Sequence, residues 1–163
     1  MNNGILLIST NWDTVIENAI RKILIKDFHL QLNPIHIHGS VSNTNRMYLP
    51  SEVTRERYRD KADEIWIGNQ HGLAWMSLEN CRKVVIYGLS LDPLDAELGM
   101  VLAAGFSNQV LEEILIVDPN HSVIAHRVNL LLERRRDVKV KGINCVTMKE
   151  DHDYTIYRRH QDD

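Results

Sequence analysis

The stretch Leu6-Leu7-Ile8-Ser9-Thr10-Asn11-Trp12-Asp13 decides the predicted fold. Its first three residues are apolar and predict a β-strand, and the polar residues that follow predict a turn at the carboxyl end of that strand. Because ligands bind at the carboxyl ends of strands in a parallel α/β sheet, this turn is a candidate binding element. Apolar residues then recur at three- and four-residue steps and predict a helix with one buried face; they are Val15, Ile16, Ala19, Ile20, Ile23 and Leu24.

The same order of apolar run, polar turn and helix recurs along the chain. The run Val84-Val85-Ile86-Tyr87 is typical of a central strand buried on both faces. The alternation predicts an α/β fold, a Rossmann-like doubly wound parallel sheet of about five strands with helices on both faces. This domain is expected to cover residues 1–148, and a polar tail to cover 149–163. Further strands are predicted at Ile35-His36-Ile37-His38 and Ile114-Leu115-Ile116-Val117, between Val138 and Met148, and as a short patch from Tyr154 to Tyr157.

Helix boundaries follow from local signals. Asp92 is expected to be an N-cap with Pro93 at the first helical position, and Gly105 is expected to end that helix. Polar residues from Val41 to Tyr48 predict a loop, and Leu49-Pro50-Ser51 predicts a helix entry. Three more stretches are assigned to helices: the charged stretch Glu52 to Glu64, an amphipathic segment from Ile65 toward Cys81 that Gly68 and Gly72 weaken, and the residues Val123 to Leu132, with Arg134 to Arg136 at the helix end.

Composition limits the class of protein. The 163 residues are 44% hydrophobic and 25% charged, which is ordinary for a globular chain. A net charge of -3 argues against a nucleic-acid surface as the main partner. The two cysteines, Cys81 and Cys145, do not form a metal-type pair and do not require a disulfide. No apolar run is long enough to span a bilayer and no signal peptide is visible, so we expect a cytoplasmic protein without a membrane partner.

Each predicted strand ends in a distinctive polar turn. We expect these turns to meet at one edge of the sheet, with Asn11, His38 and Ser90 around a single crevice. Simpler structural roles stay open: Asn11, Asp13, Ser90 and Asp95 as helix caps, His38 as a strand-end histidine bonded to backbone, and Asp118 as part of an ordinary strand-to-helix turn. The turns are Thr10-Asn11-Trp12-Asp13, His38-Gly39-Ser40, Gly88-Leu89-Ser90-Leu91 and Asp118-Pro119-Asn120.

Taken in order, the four turns resemble those of the sirtuin superfamily, and more closely its bacterial sirtuin-like NADase branch associated with anti-phage defence. The resemblance covers roughly residues 5 to 135, and its strength lies in the ordered set rather than in any single motif. Asn11 and Asp13 match the family's Asn-x-Asp turn, His38 and Gly39 match its His-Gly pair, Gly88, Ser90, Leu91 and Asp95 match its Gly-x-Ser-Leu turn with a following Asp, and Asp118 matches the residue that faces the adenosine ribose.

The resemblance implies hydrolysis of NAD at its nicotinamide–ribose bond, with Asn11 and His38 as the catalytic residues. Nicotinamide leaves from a ring nitrogen that already carries positive charge, so the site must stabilise an oxocarbenium-like ribose and direct water onto it. Asn11 would orient the water or the ribose hydroxyls, His38 would accept a proton, and Asp13 would offset positive charge. The residues implied in binding NAD are Thr10, Asn11, Asp13, Gly39, Gly88, Ser90, Leu91 and Asp118.

Two features depart from the family. Family members begin with a strand and a glycine-rich loop that holds the pyrophosphate, whereas here Met1-Asn2-Asn3-Gly4 leads directly into the strand before Asn11. We therefore expect a split or truncated protein, a homo-oligomer or partner chain that supplies the glycine-rich half, or a loss of NAD binding. Deacetylases of the family carry a four-cysteine zinc module, and only Cys81 lies between His38 and Gly88, so deacetylation is not expected.

Two alternatives follow from the same residues. One is a non-catalytic module that binds NAD or an ADP-ribose-like nucleotide, or that assembles with another chain to complete the site. The other is a metal site on His36 and His38, which lie two residues apart on one strand. Spacing fixes no third ligand among His29, His71 and His121, so no metal is expected.

Overall fold

The computed structural model describes residues 5–25, 33–49, 59–133, 137–147 and 151–155. Within these ranges the chain is an α/β protein with parallel strand pairing, as the sequence predicts. It divides into two units, Met1–Ala74 and Trp75–Asp163. The elements in chain order are β1 (Ile8–Ser9), α1 (Val15–Ile20) with a π-helical turn (Arg21–Ile25), β2 (Ile35–His36), α2 (Lys61–Leu78), β3 (Lys83–Tyr87), α3 (Ala96–Phe106), β4 (Glu113–Val117), α4 (His121–Leu131), β5 (Lys139–Ile143) and β6 (Asp151–Asp153).

In the first unit, β1 and β2 pair in parallel, with Ile8 opposite Ile35. The ladder continues beyond the strands on both sides, because Ile35 N–H donates to the Leu7 carbonyl at 2.9 Å and Ile37 N–H donates to the Ser9 carbonyl at 3.0 Å. β2 is shorter than predicted and ends two residues before His38. The chain turns at Gly39, whose φ of 78° lies in the left-handed region that glycine adopts without strain.

The loop after Gly39 folds back onto β2. Tyr48 N–H donates to the His38 carbonyl at 3.2 Å, and the Tyr48 side chain is buried. The short 3-10 turn Thr44–Arg46 brings the Arg46 carbonyl so close that a Cβ on Gly39 would lie 2.0 Å from its oxygen. Gly39 is thus required both by its backbone angle and by the space available.

The prediction that α1 buries one face is wrong for the described residues. None of the residues Val15–Ile20 is fully buried, and Val15 and Ile23 are exposed. The helix runs for only six residues before it widens into the π-helical turn, where hydrogen bonds span five residues instead of four. Because the residues per turn change at that point, apolar residues spaced for an α-helix no longer share one face.

The second unit contains a four-stranded sheet in the order β3-β4-β5-β6. The first three strands are parallel and β6 is antiparallel. α4 packs against β4 and β5, and α3 packs against α4. By register and alternation one face of the sheet carries the buried side chains Ile86, Ile114, Ile116 and Val140. The described strands therefore form two sheets, a parallel pair and this larger sheet.

The prediction that Val84 to Tyr87 form a central strand buried on both faces is wrong in the described residues. β3 lies at one edge of its sheet, and β4 and β5 are the inner strands. Val85 is 63% exposed and Tyr87 73% exposed, while Ile86 on the other face is buried. An apolar run shows that a strand forms, but it does not show how many neighbours cover that strand.

Two predicted boundaries of α3 are also wrong. Asp95 is the N-cap, and its carboxylate accepts a hydrogen bond from Leu98 N–H at 3.2 Å. Asp92 instead accepts from Leu94 N–H at 2.9 Å, a contact two residues away that closes a turn before the helix. Gly105 does not end α3, which continues through Phe106. Gly105 allows Leu78 to pack against the helix, because a Cβ there would lie 2.3 Å from the Leu78 Cβ.

The other predicted segments are mostly described. α2 runs through Gly68 and Gly72 as one helix, and the strand around Gly142 is continuous as β5. The tail contributes β6, just before the predicted patch, of which Tyr154 and Thr155 are described. No helix in the described ranges is both long and apolar enough to cross a membrane. Outside the described residues lie Pro50 to Tyr58 of the predicted helix entry and charged helix, Arg134 to Arg136, and the end of the tail.

Replacing Gly39 with Ala tests the turn after β2. We expect Gly39→Ala to lower the free energy of unfolding by at least about 2 kcal/mol, because it combines a left-handed backbone with overlap against a carbonyl. Gly68→Ala is the matched control, since a Cβ on that helical glycine meets no atom within 4 Å. It should raise stability by about 0.5–1 kcal/mol. Urea denaturation followed by circular dichroism measures both, and equal effects would contradict the close approach at Gly39.

Candidate functional site

The turn after β1 holds the backbone of Asn11 firmly and leaves its side chain exposed. Asn11 N–H donates to Ser9 Oγ at 3.2 Å, and Ser9 Oγ lies 3.4 Å from the Asn11 carbonyl oxygen. The same carbonyl oxygen lies 2.9 Å from His36 Nδ1. Because a carbonyl only accepts hydrogen bonds, this ring nitrogen is the donor. Asn11 itself is an exposed residue, so its amide is available to a ligand at the carboxyl edge of the sheet.

The turns after β1 and β2 are bonded to each other. Val41 N–H donates to the Trp12 carbonyl at 2.8 Å, which joins the segment after Ser40 to the segment after Asn11. Both turns follow strands that run in the same direction, so both lie at the same edge of the parallel pair. The structure therefore brings together the four candidates of the first unit after Thr10: Asn11, Asp13, His38 and Gly39.

His38 lies inside the first unit. Its side chain is 1% exposed, and its ring contacts Tyr48 edge to face at 5.1 Å between centroids. The Tyr48 hydroxyl is hydrogen-bonded to His71 Nε2 at 2.6 Å, and that nitrogen lies 3.3 Å from the Ile37 carbonyl oxygen. Asn11 is therefore exposed at this edge, whereas the His38 imidazole is buried against Tyr48.

Sequence reasoning missed the pair formed by Glu17 and His36. The Glu17 carboxylate contacts His36 Nε2, and the two side chains are 16% and 9% exposed. Glu17 carried no local signal, since its partner lies 19 residues away and becomes a neighbour only through β1–β2 pairing. The alternation of histidines in Ile35-His36-Ile37-His38 raised the alternative of a metal site instead, although no metal was expected. Both His36 ring nitrogens already have hydrogen-bond partners in this structure.

The described residues contain no group of three His, Cys, Asp or Glu side chains that could hold a metal ion, and His29 lies outside them.

Cys81 is half-buried, and its thiol lies 3.1 Å from the Leu78 carbonyl oxygen. Burial raises the pKa of the Cys81 thiol, so this group stays protonated at neutral pH and is a poor nucleophile.

In the second unit, the turn after β3 has two residues in the left-handed region. Gly88 has a φ of 60° and Leu91 a φ of 55°, the latter uncommon for a residue with a side chain. Arg127 on α4 stabilises this turn, because its Nη1 donates to the Ser90 carbonyl at 2.7 Å and to the Leu91 carbonyl at 3.2 Å. Ser90 is exposed and Leu91 is buried. The sequence assigned Arg127 only to a helix, so its contact with the turn was missed.

Three aspartates among the candidates bond to nearby backbone. Asp13 Oδ1 accepts from Val15 N–H at 2.9 Å, and Asp118 Oδ1 accepts from Asn120 N–H at 2.7 Å. Asp95 is the N-cap of α3, which confirms its structural role as a cap. For Asp13 and Asp118 the local bond occupies one carboxylate oxygen and orients the side chain.

A third buried histidine, His121, lies where β5 meets the start of α4. His121 Nδ1 is hydrogen-bonded to the Tyr154 hydroxyl at 2.7 Å. Gly142 makes room for this pair, because a Cβ there would lie 2.7 Å from both His121 Nδ1 and the Tyr154 ring. Burial raises the pKa of the Tyr154 hydroxyl, which therefore stays protonated at neutral pH. The pair fixes the segment after β6 against the sheet.

Removing the Arg127 guanidinium tests what holds the turn after β3. We expect Arg127→Ala to lower stability by about 1.5–3 kcal/mol, since hydrogen bonds from a charged group to two carbonyls are lost, and to speed amide exchange in residues 88–91. Arg82→Ala is the control, because the side chains of the Arg82–Glu112 pair are 65% and 51% exposed. Its effect should stay within about 0.5 kcal/mol. Unchanged exchange in Arg127→Ala would show that the turn does not depend on this side chain.

Comparisons with known proteins were made at three levels. No protein-family model matches the chain. Neither the curated proteins nor the solved structures contain a match. The assignment of a function to this chain therefore depends on its own residues and on the geometry given above.

Proposed function

We propose that this chain is a sirtuin-like domain that binds NAD and hydrolyses its nicotinamide–ribose bond. The observation that supports the proposal most is the turn after β1, where the Asn11 backbone is fixed by Ser9 and His36 while the Asn11 side chain is exposed. Because the backbone is already fixed, only the rotamer freedom of the Asn11 side chain is lost when its amide binds a ligand hydroxyl or water, which is the advantage of a preorganised site.

The proposed chemistry assigns a role to each group. The Asn11 amide orients the ribose hydroxyls or the attacking water, and Asp13 lies two residues away with an exposed carboxylate that offsets positive charge on the ribose. His38 accepts the proton of the attacking water once its ring leaves the packing against Tyr48. Binding of the nucleotide in the first unit is assigned to Asn11 and Asp13 with Thr10 and Gly39. The resemblance further implies a binding role for Gly88, Ser90, Leu91 and Asp118 of the second unit.

A second candidate function is a non-catalytic module that binds NAD or an ADP-ribose-like nucleotide. The burial of His38 favours it, because a base with 1% exposure cannot contact a ligand in this conformation. In this form of the proposal a partner chain, or another copy of the same chain, completes the site. Binding then uses the exposed Asn11 turn and requires no proton transfer.

Three wider proposals accompany this function. The first is a Rossmann-like doubly wound sheet of about five strands, which the alternation of strands and helices in the sequence predicts and with which the parallel pairs in both sheets are compatible. The second is a cytoplasmic location, which is the expectation from the sequence. The third, a role in anti-phage defence, depends on the resemblance to the sirtuin-like NADases alone.

Nicotinamide release from NAD tests the proposal. We expect Asn11→Ala to lower the rate about 10²-fold, the usual cost of removing a polar group that acts on the transition state. Asn18→Ala is the matched control, because Asn18 is exposed on α1 and its side-chain amide donates to the hydroxyl of Thr14, the N-cap of the same helix, at 3.5 Å. Thermal denaturation of each variant verifies that it is folded.

Thermal shift with ADP-ribose separates the two candidate functions. Nicotinamide release by the wild type that Asn11→Ala lowers about 10²-fold supports the hydrolase. Stabilisation of the wild type by ADP-ribose without turnover supports the binding module, since a ligand that binds only the folded state raises its stability. Neither turnover nor stabilisation, with the chain alone and with a candidate partner chain, would overturn both.

A further inference from the structure

We propose that Glu17 and His36 form a positioning pair that holds the Asn11 turn in its ligand-binding conformation. The pair acts through Asn11 and does not contact the ligand. This inference rests on the proposed function only for what Asn11 binds, because the conformation of the turn is measured separately. It assigns a role to two residues that the resemblance to the sirtuins does not include.

The hydrogen bonds of His36 show how the pair works. Its Nδ1 donates to the Asn11 carbonyl at 2.9 Å, and its Nε2 faces a carboxylate oxygen of Glu17. A carbonyl only accepts hydrogen bonds, so Nδ1 carries the proton of the bond to Asn11. The contact with Glu17 lies on the other nitrogen of the same ring, and linked hydrogen bonds polarise and strengthen one another.

Three elements meet at this imidazole. His36 is the last residue of β2, Glu17 lies on α1, and Asn11 follows β1. The side chains of the pair are largely shielded from water, at 9% exposed for His36 and 16% for Glu17. Shielding strengthens their attraction and keeps the ring from rotating away from the Asn11 carbonyl. The strand pairing sets the position of His36, and the position of His36 sets that of the turn.

The geometry excludes other roles for the pair. A catalytic base needs a ring nitrogen that is open to the ligand, and both nitrogens of His36 are occupied by Asn11 and Glu17. A metal ion would need a lone pair on one of the same two ring nitrogens, and both are engaged in these contacts. A purely structural ion pair would stabilise the first unit without contacting the turn. Here His36 Nδ1 donates a hydrogen bond to the Asn11 carbonyl.

Two substitutions of His36 separate these roles, because each keeps one of its two contacts. The side-chain nitrogen of Asn lies where Nδ1 lies in histidine, so His36→Asn keeps the donor to Asn11 and loses Glu17. The side-chain nitrogen of Gln lies where Nε2 lies, so His36→Gln keeps the contact with Glu17 and loses Asn11. A positioning role predicts that Asn substitutes for histidine better than Gln does.

The primary readout is amide hydrogen exchange over residues 9–13, measured on the full chain without ligand. We expect exchange about tenfold faster in His36→Gln than in His36→Asn, the change that follows from the loss of one hydrogen bond of about 1.4 kcal/mol. Glu112→Gln is the control, because it alters an exposed ion pair with Arg82 in the second unit. Its exchange over residues 9–13 should equal that of the wild type.

A second pair of variants covers the case in which His36→Gln does not fold. Glu17→Gln keeps an oxygen and an amide group at the position of the carboxylate, and Glu17→Ala removes the contact with His36. We expect faster exchange of the Asn11 turn in Glu17→Ala than in Glu17→Gln, because only Gln keeps a hydrogen-bonding group for His36 Nε2. Equal exchange within both pairs of folded variants would overturn the positioning role.

Binding of NAD and ADP-ribose is the secondary readout and separates failure of this inference from failure of the proposed function. We expect His36→Gln and Glu17→Ala to bind about tenfold more weakly than His36→Asn and Glu17→Gln. If the wild type binds neither nucleotide, the proposed function fails while the exchange data still decide the role of the pair. If nucleotides bind and exchange differs within each pair but affinity does not, the turn is held by His36 without controlling the ligand, which overturns the link to binding.

Discussion

The parallel register of β1 with β2 is the constraint on which the candidate site depends. It places Ser9 opposite His36. From that position the imidazole reaches forward to the Asn11 carbonyl and sideways to Glu17, and the next turn joins through Val41 to the Trp12 carbonyl. A shift of one residue would turn the His36 side chain to the other face of the pair and break all of these contacts together, because side chains alternate along a strand.

The two units use the same physical device at their candidate turns. In each, a nitrogen-rich side chain from another element donates to carbonyl groups of the turn: His36 to Asn11, and Arg127 to Ser90 and Leu91. Carbonyl groups at the end of a strand have lost their ladder partners, and unpaired buried carbonyls are costly. His36 and Arg127 donate hydrogen bonds to these carbonyl groups. The side chains of Asn11 and Ser90 remain exposed.

The sequence predicted the α/β class with parallel strand pairing, and most of the described elements, because hydrophobic periodicity is a local property. It also predicted that polar turns would follow β1, β2, β3 and β4. What it could not predict depends on long-range pairing: β3 has the composition of a central strand but lies at an edge, and Glu17 becomes a partner of His36 only after two strands pair. Asp92 and Asp95 both carry the signal of an N-cap, and local sequence does not decide between them when both can close a turn.

Asn11 is exposed and His38 is buried, and this difference has separate consequences for nucleotide binding and for hydrolysis. Nicotinamide departs as a neutral molecule because its ring nitrogen is positively charged before the bond breaks, so departure requires no acid. Water that attacks an oxocarbenium-like ribose becomes acidic only as the new bond forms. A base is therefore needed only late in the step and contributes little to the rate. In the proposed hydrolysis the groups that act first are those that orient the ribose and the water, and the exposed side chain of Asn11 is assigned that role without movement of His38.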